Sequence, residues 1–359
     1  MKALVLCAGK GTRLQPITHS MPKAVIPIVN QPIVFHIIKK LVNLGISEIG
    51  LIVGYKKEII MDVLGDGSCL NAKIEYIVQD EPHGLAHAVK MGQSFVGSES
   101  FMVFLGDNIF EDDLSNLIKR YDIEKPDSII ILKEVDEPER FGIAILEDYD
   151  RIVNVVEKPN DPPSNLAIAG VYIFDESIFS AIDNLKPSWR GEYEITDAIQ
   201  GLIDKNLVIK CEILKGKWLD TGKPEDILDA NQYLLNKLKG LHIKGNIDQN
   251  SELHNSIYIG KDSEIENCKI LGPVVIGENC FISNSTLYPN TCIGSESKII
   301  NTIISNSIIM RKCTFINITG KIANSIIAEC VNINSISTQG EYNFILGNNA
   351  VLIGNELII

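Results

Sequence analysis

The chain has 359 residues, 45% of them hydrophobic, and a formal charge of −13. That length exceeds a usual single domain and leaves room for a large core. The negative balance argues against a nucleic-acid or acidic-membrane surface as partner, and no apolar run approaches the roughly 20 residues of a membrane span. A single Lys and a short apolar run ending in glycines do not make a secretory signal, so a cytoplasmic location is expected. Eight cysteines without a C-x-x-C pair are expected to be reduced and mostly buried.

Ala3 to Leu6 reads as a buried strand that breaks into Gly9-Lys10-Gly11-Thr12-Arg13, with Lys23 further on after Pro22. Two glycines one residue apart allow a sharp turn and close approach of a bulky anion. Backbone N–H groups there, with Arg13 and Lys23, make a cradle for phosphates. Leu14 stands where the dinucleotide fingerprint needs its third glycine, and the G-K-[ST] ending of a Walker A loop is absent.

A bare G-x-G is weak evidence, but the longer string from Leu6 to Pro27, L-x-A-G-x-G-T-R-L-x-P-x-T followed by P-K-x-x-x-P, is specific. It resembles the signature of the sugar-1-phosphate nucleotidylyltransferases. The resemblance implies that Leu6, Ala8, Gly9, Gly11, Thr12 and Arg13 hold a nucleoside triphosphate. Arg13 and Lys23 then neutralise its phosphates.

Next come a helix over Ile33 to Leu44 stopped by Gly45, a strand over Ile49 to Val53, a helix over Lys57 to Leu64 and a strand over Ile74 to Val78. This alternation predicts a Rossmann-like, mostly parallel sheet with helices on both faces. Ligands then bind beyond the carboxyl ends of the strands. Gln79 follows one such end; its amide can both donate and accept, which suits a pyrimidine edge, and Gly84 leaves room for a base. The block Gln79 to Ala86 resembles the Q-x-x-P-x-G-L-A segment that reads thymine or uracil in thymidylyl and uridylyl transferases. His83 and His87 have i,i+4 spacing, but Gly84 lies between them and no acidic partner follows, so they are not taken as a metal pair.

Phe101 to Leu105 is an apolar strand ending in Gly106-Asp107-Asn108, which points a carboxylate into the crevice. Strands over Ile129 to Val135, Ile152 to Val156 and Asn165 to Phe174 follow, with Phe141-Gly142 and Glu157-Lys158-Pro159 among them and Gly170 inside the last. Pro187 to Asp197 matches the family's R-G-E-x-E-I-T-D, and Trp218-Leu219-Asp220 supplies a second carboxylate. The resemblance implies that Asp107 and Asp220 hold Mg²⁺, and that Asn108, Gly142, Glu157, Lys158, Gly170 and Arg190 hold the sugar phosphate. Glu192 and Glu194 are read as structural anchors at the start of a helix through Ile203. A closing helix runs from Pro224 to Leu238.

From about Gly245 aliphatic residues recur every sixth position, as at Ile259, Ile265 and Leu271, the hexapeptide period of a parallel β-helix. The family often carries such an extension, described as left-handed. Cys268, Cys280 and Cys292 lie twelve apart, two repeats each, and are expected to stack in its interior. The last histidine is His254, so a scaffold role is favoured over the acyltransferase chemistry common to hexapeptide helices. Dense aliphatics and the apolar end Asn355 to Ile359 predict packing against another surface in a homo-oligomer.

The expected division is therefore a catalytic domain over 1–240 and a β-helix over 245–359. The resemblance is closest to the long-form thymidylyltransferases acting on glucose 1-phosphate, and implies that dTTP and that sugar give dTDP-glucose and pyrophosphate. Uridylyl transfer is the nearest rival, since only a methyl group separates the two bases. A catalytically silent regulatory subunit is the other; the intact loop, Lys23, Asp107 and Asp220 argue against it.

Overall fold

The computed structural model describes residues 1–337 and 339–354; the apolar end Asn355 to Ile359 lies outside them. The chain divides into two compact units. The first comprises Met1–Lys10 and Ile33–Asp220; the second comprises Gly11–Pro32 and the chain from Thr221 onward.

The first unit is built on a nine-stranded sheet. Its N-terminal half is parallel, in the spatial order Phe101–Leu105, Lys2–Leu6, Glu48–Val53, Lys73–Val78. Leu6 pairs with both Leu105 and Ile52, and Val53 with Val78, so these strands reach their carboxyl ends on one rim. Near-continuous apolar runs such as Phe101 to Phe104, fully buried, are what a strand covered on both faces requires. Leu166–Phe174 joins Phe101–Leu105 antiparallel and carries the sheet on to Ser128–Glu134 and Gly142–Leu146. Ile152–Glu157 pairs with Gly142–Leu146, also antiparallel. The ninth strand, Ile209–Ile213, lies parallel to Ser128–Glu134, so the sheet is mixed, all parallel on one side and largely antiparallel on the other.

The second unit is the expected left-handed parallel β-helix, together with the helix Pro224–Leu235 and the segment 11–32. Three parallel sheets of seven, seven and six strands form its sides. Each coil places one aliphatic per side: Ile259, Ile276 and Ile293 stack in one column, Ile265, Ile282 and Ile299 in the next, Ile270, Leu287 and Ile304 in the third. The step from Ile265 to Ile270 is five residues rather than six, so the buried third residue is Ile270 and not Leu271. Asn267, Asn284, Asn301 and Asn317 sit at positive φ on one corner, a conformation asparagine tolerates. Their amides pair at 2.7 Å (Asn267 to Asn284) and 2.6 Å (Asn301 to Asn317).

The cysteine stack is not found. Val274 pairs with Thr291, seventeen residues on, so a coil is one residue short of three hexapeptides. A step of twelve therefore moves round the helix to another side instead of up one column. Cys268 lies beside Ser285, Cys280 beside Ser297, and Cys292 pairs with Val275 and Ile308. All three are buried, but Cys292 turns outward and its thiol meets Asn231 at 3.2 Å.

Candidate active site

The rim of the parallel half collects the strand-end motifs. Cys7 N–H donates to Ile52 O at 2.8 Å, Gly106 N–H to Leu6 O at 3.0 Å and Gln79 N–H to Val53 O at 2.8 Å. The approach is close: a Cβ on Gly106 would stand 2.3 Å from Cys7 Sγ, and one on Gly54 2.9 Å from Gln79 O and 3.1 Å from Ala8 Cβ. Burial, and next the charge of Asp107, push the Cys7 thiol far above its usual range, so it is an inert packing group. Gly54 was missed in the sequence because a lone glycine after a strand looks like any turn.

The two glycines of the loop differ. Gly9 has nothing within 4 Å of an added Cβ, so the space beside it is open. Gly11 is held at φ +63, and a Cβ there would crowd Thr18 Cγ2 at 3.0 Å and Lys23 Cβ at 3.3 Å. Thr18 Oγ1 donates to Gly11 O at 2.8 Å. Lys23 is thereby set directly behind the turn, while Arg13 is exposed on the short 3₁₀ turn Thr12–Leu14. These residues belong to the second unit and Leu6 to Lys10 to the first.

Gln79 is only 3% exposed, and its Nε2 lies 2.7 Å from His87 Nδ1. Gly84 has φ +108 because Tyr193 crosses it: an added Cβ would meet Tyr193 O at 2.5 Å and N at 2.7 Å. Tyr193 N–H donates to His83 O at 2.7 Å and Ala86 N–H to Tyr193 O at 3.0 Å, so the two motifs are laced together by backbone. What fixes glycine here is this crossing. Beside it a cavity of about 510 Å³ is lined by His83, His87, Lys90, Asp183 and Tyr193 among others, and includes neither Asp107 nor Asp220.

Asp107 and Asp220 are brought together by a two-stranded ribbon, in which Trp218–Asp220 pairs with Asn108–Phe110 and Asp220 stands opposite Asn108. Asn108, 2% exposed, donates from Nδ2 to Asp107 Oδ1 at 3.1 Å and accepts from Trp218 Nε1 at 2.7 Å. Trp218 rests against Phe141, ring centroids 5.0 Å apart. Gly170 at φ +76 makes room, since a Cβ would stand 3.1 Å from Asn108 Nδ2. A pair of carboxylates, one oriented by an amide, fits Mg²⁺ at a polyphosphate, which uses one or two protein carboxylates and otherwise water and phosphate oxygens.

On the antiparallel side Gly142 stands opposite Glu157, whose Oε2 accepts from Thr196 Oγ1 at 3.1 Å. Lys158 follows at φ +42, left-handed and directly before a proline, a strain of about 1–3 kcal/mol. Its Nζ is 3.5 Å from Glu157. Arg190 faces Glu157 at 3.5 Å, Glu192 at 3.2 Å and Glu194 at 3.1 Å. Glu194 starts the helix Ile195–Asp204 by its backbone but makes no side-chain cap; its carboxylate instead takes Arg190 and Ser188. Burial, then the charge of Glu157, holds the Glu194 carboxyl above its ordinary range. Nη1 and Nη2 of the guanidinium are engaged by these carboxylates, so an anion reaching those two nitrogens competes with them.

A sequence model of the nucleotidyl transferase family matches residues 2–237. The chain belongs to that family. It is 40% identical to the low-salt glycan biosynthesis nucleotidyltransferase Agl11 of Haloferax volcanii over 338 residues, 93% of this chain and 94% of that one. It is 36% identical to a glucose-1-phosphate thymidylyltransferase of Streptomyces antibioticus over 352 residues, 98% of each chain. Among solved structures, a Bacillus anthracis protein provisionally named a glucose-1-phosphate thymidylyltransferase, crystallised with sucrose, aligns with TM-score 0.62 and 35% identity. That alignment covers 67% of this chain and 97% of the other. The protein is a nucleotidyltransferase, and among its described residues no helix is long and apolar enough to cross a membrane.

Proposed function

We propose that the protein transfers a thymidylyl group from dTTP to glucose 1-phosphate, giving dTDP-glucose and pyrophosphate. The observation that carries this reading is the buried Gln79 amide on the same strand-end rim as Gly106-Asp107. The donor-acceptor pair of a primary amide complements N3–H and a carbonyl of thymine or uracil.

In this reading Asp107 and Asp220 hold Mg²⁺, which when bound supplies positive charge to the triphosphate oxygens. Gly9 leaves the triphosphate room, Arg13 and Lys23 neutralise it, and Lys158 with Arg190 holds the sugar phosphate. An oxygen of glucose 1-phosphate attacks the α-phosphorus in line, and the bond to the β-phosphate breaks, releasing pyrophosphate. Positioning and charge neutralisation do the catalysis, with no covalent enzyme intermediate. Residues 1–240 carry this chemistry, and 245–359 form a scaffold through which copies of the chain associate.

The test is pyrophosphate release with dTTP, UTP, CTP, ATP and GTP, each against several sugar 1-phosphates. Turnover highest with dTTP and glucose 1-phosphate is expected, with UTP next. A preference for ATP or GTP would overturn the assignment of Gln79.

A further inference from the structure

We infer that His87 is a positioning residue that fixes which way round the Gln79 amide faces, and so makes the site reject cytosine. The inference rests on Gln79 reading the base. A primary amide is nearly symmetric in shape, and turned over by half a rotation it exchanges a donor for an acceptor. Left free, it would present either pattern. Here Nε2 of Gln79 lies 2.7 Å from Nδ1 of His87 on the helix Leu85–Met91. The tautomer with its hydrogen on Nε2, the commoner form of neutral imidazole, leaves Nδ1 as an acceptor only.

The amide nitrogen therefore points at His87 with one hydrogen. What remains for a base is the oxygen, as acceptor, and the second hydrogen, as donor. Thymine and uracil present N3–H beside a carbonyl, and both positions match. Cytosine presents a bare N3 beside an amino group, so donor would meet donor and acceptor would meet acceptor. Turning the amide over would suit cytosine but would set its oxygen against the Nδ1 lone pair. Burial of the imidazole, and next the neighbouring His83, hold His87 below its ordinary pKa, which keeps the acceptor available near neutral pH. His83 is engaged separately, its Nε2 3.2 Å from Glu81.

The consequence is testable as a ratio. kcat/KM is measured for dTTP, UTP and CTP with the wild type, His87→Phe and His87→Asp, and melting temperature is recorded alongside. Phenylalanine keeps the ring and removes the acceptor. Aspartate places an oxygen as many bonds from Cα as Nδ1 and only accepts. His87→Phe is expected to shrink the dTTP:CTP ratio about tenfold, chiefly through a lower KM for CTP, while His87→Asp keeps the wild-type ratio.

An unchanged ratio in His87→Phe, or dTTP and CTP falling together, overturns the role of His87 and leaves the reading of the base by Gln79 standing. Equal use of dTTP and CTP by the wild type also overturns it. Purine preference in the wild type overturns the underlying reading instead. If His87→Phe does not fold, His87→Ala takes its place in the same comparison.

Discussion

Trp218→Phe isolates one hydrogen bond of the carboxylate ribbon. Phenylalanine can keep the ring contact with Phe141, now at 5.0 Å, but has no N–H for Asn108 Oδ1, which presently accepts at 2.7 Å. Asn108 is 2% exposed, so water does not readily replace the lost donor and its oxygen is left unsatisfied, at a cost of about 1–3 kcal/mol. The same amide then loses the anchor that directs its Nδ2 at Asp107, 3.1 Å away. Groups that orient a ligand from behind are typically worth about 10–100-fold in metal affinity. The variant should thus need about tenfold more Mg²⁺ for half-maximal pyrophosphate release, and melt a few degrees lower without metal. The assay is a Mg²⁺ titration at saturating substrates beside a thermal melt. A lowered melting temperature with an unchanged Mg²⁺ requirement would refute the view that Trp218 acts through Asn108 on Asp107.

Four further single substitutions are informative. Gly84→Ala should cost roughly 2–5 kcal/mol in urea unfolding, because its φ of +108 excludes a side chain and Tyr193 stands 2.5 Å from the new Cβ. Gly9→Ala should leave stability within about 0.5 kcal/mol yet reduce turnover, since its Cβ meets no protein atom within 4 Å; equal stability losses in the two would show that ligand space is not what Gly9 provides. Asp107→Asn and Asp220→Asn should each reduce turnover severely with an unchanged circular dichroism spectrum, and near-normal turnover at low Mg²⁺ would remove that residue from the metal set.

The features legible in the sequence were those that repeat or that sit at strand ends. Parallel pairing guarantees that Leu6, Val53, Val78 and Leu105 end on one rim, so motifs after them converge however far apart they lie in the chain. The aliphatic hexads revealed the β-helix for the same reason: a period is visible without coordinates. Side-chain partners leave no such trace. Nothing in Gln79 or His87 alone announces their bond, and the motif string around Trp218 does not reveal that its indole serves Asn108. The cysteine spacing misled because twelve residues are two hexads but not a whole seventeen-residue coil. The glycine at 84 was foreseen as room for a base, whereas the crowding that dictates it comes from Tyr193, more than a hundred positions away.

On the proposed function, the segment carrying Arg13 and Lys23 is a phosphate loop that a remote element would govern. Val29 and Asn30 close the hairpin between Pro27–Ile28 and Gln31–Pro32, at φ +53 and +56. A β-branched residue in that conformation is strained and persists only where its surroundings hold it. Here Val29 N–H donates to Asn231 Oδ1 at 2.9 Å, and Asn30 Nδ2 to Ile293 O at 2.7 Å. Asn231, fully buried on the helix Pro224–Leu235, also accepts from the Cys292 thiol at 3.2 Å and donates to Asn290 O at 3.4 Å. Burial pushes the Cys292 thiol up to about 12, so it remains a donor at any working pH. A middle coil of the β-helix, this helix and the hairpin are therefore joined through one amide. Asn231→Ala removes those bonds and leaves the strained Val29 N–H without its acceptor, a loss of roughly 2–4 kcal/mol. The KM for dTTP should rise with little change in the KM for glucose 1-phosphate, because the loosened segment bears Arg13 and Lys23, the cations proposed for the triphosphate, and not Lys158 or Arg190. A fall in melting temperature with both KM values unchanged would show that the amide braces the unit without reaching the loop. Equal rises in both KM values would show a general loss of order rather than control of one substrate.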